Sequence, residues 1–89
     1  MVNLPFQESQ LSEGFSWRTF SADTDINDLQ WHWDEEDRTV YFVAFNDWKF
    51  QFDNELPINC EHFIFIPKGT WHRLIKGQGD LTVLVKKHV

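Results

Sequence analysis

His32 and His72 are the residues of this 89-residue chain best suited to chemistry. His32 stands in Gln30-Trp31-His32-Trp33-Asp34, and His72 closes the segment Pro67-Lys68-Gly69-Thr70-Trp71-His72. In extended backbone, alternation puts Gln30, His32 and Asp34 on one face, with Trp31 and Trp33 on the other. Leu74 shares a face with His72, opposite Trp71, Arg73 and Ile75. If the two faces meet inside one barrel, two imidazoles and a carboxylate converge. That donor set suits zinc, iron, nickel or manganese. Two His with one carboxylate is also the facial set of non-haem iron sites, which leaves positions open for substrate or oxygen. The alternative for four His in so short a chain is a scatter of hydrogen-bonded or surface imidazoles.

Strands must position those faces, and the strand signals are strong. Phe15 to Ser21 is rich in aromatic and β-forming residues after Gly14. Leu29 to Trp33 is a short second run beyond the polar connection Asp23 to Asp28. Thr39 to Phe45 is nearly continuous in apolar residues, which predicts a central strand covered on both faces. Asn46-Asp47 suits a tight hairpin turn. Trp48, Phe50 and Phe52 then alternate with Lys49, Gln51 and Asp53. Leu56-Pro57-Ile58 suits an edge, because Pro57 cannot donate to a ladder. His62 to Ile66, Trp71 to Ile75 and Leu81 to Val85 complete about eight short antiparallel strands. Ser9 to Gly14 is expected to form at most one turn of helix. The spacing predicts an all-β sandwich or barrel.

Composition bounds the class. A single domain of this length buries little more than ~60% of its unfolded surface, so its core must be efficient. Nine Phe and five Trp supply that core, at roughly 150–250 Å² each. The lone Cys60 excludes an internal disulfide framework. No apolar run nears the ~20 residues of a membrane span, and the start lacks the basic and apolar parts of a secretory signal. A cytoplasmic, membrane-free protein is expected. The formal charge of −6 argues against nucleic acid as a partner, since phosphate backbones are held by clustered cations. The acidic run Asp34 to Asp37 reads as a solvated loop.

Pro67-Lys68-Gly69-Thr70-Trp71-His72, preceded by the apolar Phe63 to Ile66, resembles the second motif of the cupin family. There a strand ends in Pro-x-Gly-x-x-His, and the His is a metal ligand inside a small β-barrel. The segment from His32 to about Asn46 falls at the place of the first motif, and the likeness spans roughly residues 29 to 85. It implies a single cupin-type, jelly-roll-like domain over 1–89, with a core of about 15–85 and an N-terminal extension of 1–14. It also implies a divalent metal on His32, Asp34 and His72. The first motif departs from the family pattern: Asp34 stands at the place of its second His, and Thr39 at that of its Glu.

Tyr41 shares parity with Thr39 and Val43, so Thr39 and Tyr41 join Gln30 and Leu74 as expected pocket residues. Trp31 and Trp33 face away from His32 and suit a subunit interface, where Trp is enriched. The five Trp read either as a stacking surface for a flat ligand or as packing, and Trp48 reads as packing. Cys60 reads as structural, Arg73 as an outward partner of the acidic loop, and His62 and His88 as surface residues. The resulting expectation is a small metal-binding cupin that binds or transforms a small polar molecule, with no catalytic residue assigned. The alternative is a non-catalytic ligand-binding or dimerisation module with a degenerate site. A homodimer is expected in either case, because small sheets gain from pairing.

Overall fold

Alternation of buried and open residues divides the chain into two antiparallel sheets. In a computed structural model describing residues 5–88, the strands are β1 (Gln7–Ser12), β2 (Phe15–Phe20), β3 (Asp37–Ala44), β4 (Lys49–Phe52), β5 (Ile58–Asn59), β6 (Phe63–Ile66), β7 (His72–Ile75) and β8 (Leu81–His88). The larger sheet runs β1-β2-β8-β3-β6 and the smaller β5-β4-β7. The only helix among the described residues is one 3-10 turn, Ile26–Asp28, capped by the Asp25 carboxylate on the Asn27 N–H. No helix is long and apolar enough to cross a membrane.

The inner faces of the two sheets form one core. Phe20, Phe42, Ile66, Leu81, Val83 and Val85 come from the larger sheet and meet Phe50 of β4, with Trp48 just before it. Trp48 is 1% exposed, packs 5.8 Å from the Phe20 ring and donates its indole N–H to the Gly79 carbonyl. The Asn46-Asp47 turn has the expected left-handed backbone, with φ of 36° and 67°. Gly77 packs directly on this turn: a Cβ there would lie 2.3 Å from the Asn46 carbonyl oxygen. Gly77 therefore serves close approach to this turn's backbone, while Gly79 lies against the Asn46 side chain. Cys60 is fully buried, and burial pushes its thiol up to about 12 despite the nearby Lys49 charge. It is protonated and structural.

Three local expectations are corrected. Ser9 to Gly14 is not helical; Gln7–Ser12 is an edge strand paired with β2, because that pairing satisfies backbone groups a lone turn would leave open. Leu29 to Trp33 contributes a single bridge at His32 rather than a strand. β3 is covered on one face only: Tyr41 and Val43 are exposed while Phe42 is buried. Phe63 and Phe65 of β6 are likewise open to solvent. An uninterrupted apolar run reads the same whether its second face is covered or bare.

Candidate metal centre

Backbone pairing brings the two histidines together. The His32 N–H donates to the His72 carbonyl at 3.0 Å, and the His72 N–H returns a bond to the His32 carbonyl at 2.9 Å. Residues exchanging both bonds sit directly opposite, so their side chains leave the same face. The ring centroids are 4.3 Å apart. The turn before β7 fixes this register. Gly69 adopts φ +74°, which a side chain at that position would strain, and its N–H donates to the Asp34 carbonyl at 2.8 Å. The Lys68 N–H donates to Asp37 Oδ1 at 2.8 Å. The Pro-Lys-Gly turn thus clamps the segment carrying His32 and Asp34.

Both imidazoles are held by one nitrogen. His32 Nδ1 lies 3.0 Å from the Gln30 carbonyl, and His72 Nδ1 lies 2.8 Å from that of Thr70. A carbonyl only accepts, so each Nδ1 carries a proton, which leaves Nε2 as the nitrogen that a neutral ring would offer to a metal. Metal-bound histidines are commonly held this way. Asp34 completes the group, and one ligand atom from each of the three lies within 4.8 Å of the others. Asp34 Oδ2 is buried with no hydrogen-bond partner, 3.4 Å from His72 Nε2. Its other oxygen lies 3.4 Å from Arg38 Nη1, whose guanidinium also grips Glu36 through Nη2 at 2.6 Å. Arg38 therefore orients Asp34 from behind.

A proton on His72 is one way to relieve two facing acceptors, but the environment opposes it. Burial lowers the His72 pKa below 6.5, and the neighbouring His32 and Arg38 add to this; the Thr70 carbonyl and Asp34 pull the other way without prevailing. A His depressed in the folded state binds protons better when unfolded, so stability falls as pH drops through 6.5 toward the native value. Thermal midpoints of the metal-free protein should accordingly fall between about pH 7 and 5, and His72→Asn should flatten part of that slope. An unchanged slope in the variant overturns the assignment.

The cluster opens onto a cavity of about 320 Å³ between the sheets. Its walls include Phe42, Phe50, Ile66, Leu74 and Val83, and the Phe50 ring stacks 5.6 Å from His72. Gln30 and Leu74 reach this cavity, as alternation predicts. Thr39 and Tyr41 do not. They stand on the outer face of β3, Thr39 bonded to His88 and Tyr41 against Phe63, while Arg38, Val40 and Phe42 point inward. The pairing of Val40 with Val85 and Phe42 with Val83 sets that parity. Among the cavity residues that sequence reasoning missed are its two cations, Arg38 and Arg18; the i,i+4 spacing of Asp34 and Arg38 was the available signal for the first. Arg18 sits within an aromatic strand and is matched by Glu8 at 2.6 Å. Arg73 is not a partner of the acidic loop. It bonds Gln51 and lies over the Trp31 ring at 4.6 Å.

No family model and no curated protein matches this sequence. Solved structures do. A DMSP lyase from the structures of RdDddP and RnDddQII superposes with a TM-score of 0.71 at 16% identity, over 84% of this chain and 37% of the other. This chain therefore spans little more than a third of that protein. The FeII form of HppE in complex with substrate gives 0.65 at 7% identity, over 99% of this chain and 55% of that one. A cupin domain from Bordetella pertussis gives 0.61 at 12% identity, over 100% and 99% of the two chains. The chain has the cupin fold: a small all-β domain with its His-Asp-His cluster lining the cavity between the sheets.

Proposed function

We propose that this protein holds one divalent transition metal on His32, Asp34 and His72 and presents it to a small molecule in the adjoining cavity. The facing pair Asp34 Oδ2 and His72 Nε2 carries the reading, because a bound cation would satisfy a buried carboxylate oxygen that has no hydrogen-bond partner and faces an imidazole whose protonation burial opposes. Two nitrogens and one oxygen fit zinc, iron, nickel or manganese and leave further positions open. A bound ion there would polarise a carbonyl or carboxylate, or activate water or oxygen. The apolar walls suit a compact ligand with one polar head directed at the cluster and an apolar body behind it.

A second reading, a ligand-binding module without catalysis, is supported by the side chains around the cluster. Glu36 is engaged by Arg38, and Thr39 faces away from the cavity, so among the described residues the ligand cluster is limited to the three. In either reading the protein acts as a homodimer in the cytoplasm and does not bind nucleic acid.

Elemental analysis after loading with each of the four metals tests the proposal. About one equivalent per chain is expected for at least one of them, and less than about a tenth for all four overturns it.

A further inference from the structure

The solvent face of the larger sheet is built for a partner. Val83, Val85, Phe42 and Ile66 point into the core, so their strand neighbours point outward. The pairing aligns those neighbours into continuous rows. In one, Trp17 faces Leu84, Leu84 faces Tyr41 and Tyr41 faces Phe63. In the next, Phe15 faces Lys86, Lys86 faces Thr39 and Thr39 faces Phe65. An antiparallel sheet with one wet side normally alternates polar residues outward. Here the wet side carries five aromatic rings and no carboxylate in either row, although the chain has fourteen acidic residues.

We infer that this face, and not the Trp31 and Trp33 surface, is where two copies of the chain pair. The inference rests on the homodimer reading above and adds its location. Area supports it. Phe63, Phe65 and Tyr41 are 63%, 49% and 39% exposed. At about 200 Å² per ring they leave roughly 300 Å² of apolar surface open, before the half-buried Phe15, Trp17 and Leu84 are added. A standard interface takes about 800 Å² from each partner, of which a little over half is apolar, or roughly 450 Å². Charge supports it as well. A chain of net charge −6 repels its own copy over most of its surface, and these rows hold one cation, Lys86, and no anion. A two-fold axis over the face would lay the same patch on itself, and two sheets stack at about 10 Å. The Trp31 surface is less free for this role, since Arg73 already lies over that ring.

Light scattering on the full chain tests the location, using Phe63→Glu, Phe65→Glu and Trp33→Glu with circular dichroism as a check on folding. These three side chains are among the most exposed aromatics, so the variants should fold. At about 20 µM the native chain and Trp33→Glu should run at twice the 10.7 kDa chain mass, while Phe63→Glu and Phe65→Glu run as monomers, with dissociation midpoints raised at least about a hundredfold. A dimer that survives both Phe variants but is lost in Trp33→Glu overturns the location and leaves the dimer standing. A native chain that is monomeric at that concentration, or that is captured by phosphatidylcholine vesicles instead, overturns both.

Discussion

Replacing His72 by Ala should lower metal content from about one equivalent per chain to below about a tenth, with the fold retained. His72 is 5% exposed and supplies one of three ligand atoms, so its loss should weaken binding by at least about a hundredfold, more than the usual cost of disturbing a residue behind the ligands. The backbone bonds between positions 32 and 72 do not need the imidazole and should survive. The stability cost of the metal-free variant should stay within about 2 kcal/mol, because the small cavity created is offset by relief of the strained Asp34 oxygen. Asp34→Asn sharpens the test. Its amide N–H can donate to His72 Nε2, where the native carboxylate faces another acceptor at 3.4 Å. This variant should gain roughly 1 kcal/mol of stability in urea while losing the metal, the pattern expected of a site kept at the expense of stability. If Asp34→Asn destabilises the metal-free chain, or if His72→Ala takes up metal normally, the cluster is structural.

Trp48→Ala should remove a large share of the stability of the protein, about 3–5 kcal/mol, and shift its urea midpoint well down. A domain of this size has a total stability of roughly 4–13 kcal/mol. Trp48 carries more than its own area. It fills the space against Phe20, its indole N–H bonds the Gly79 carbonyl, and its backbone leads into the strand that carries Phe50 to the wall of the cavity. Trp48→Phe keeps most of the volume and loses the hydrogen bond, so its cost should be about 1–2 kcal/mol. Urea melts followed by circular dichroism distinguish the two. A loss under about 1 kcal/mol for the Ala variant would mean that the core is not organised around this side chain.

These two positions were legible in the chain for different reasons. Trp48 follows from alternation alone: it shares a side with Phe50 and Phe52, and one apolar side facing one polar side admits a single burial pattern. Pro67-Lys68-Gly69 followed by His72 is legible through its resemblance to the second cupin motif, and the structure supplies a physical basis in the left-handed backbone of Gly69. The parity of Gln30, His32 and Asp34 was equally readable, and the structure places all three on the cavity side.

Thr39 and Tyr41 show where local pattern fails. In Thr-Val-Tyr-Phe-Val-Ala-Phe neither set of alternate residues is polar, so either can be buried, and pairing with β8 is what turns Val40 and Phe42 inward. The isolated Asp34 oxygen was hidden for a related reason, since it depends on His72 from a distant segment, whereas Arg38 meets Asp34 and Glu36 within its own segment. Residue types and their alternation were enough to specify an all-β chain, its aromatic core and its metal-suited side chains, because those properties are local. Which strand face meets the core, and whether His32 and His72 share a point in space, depended on pairings forty residues apart, whose geometry no short stretch of chain contains.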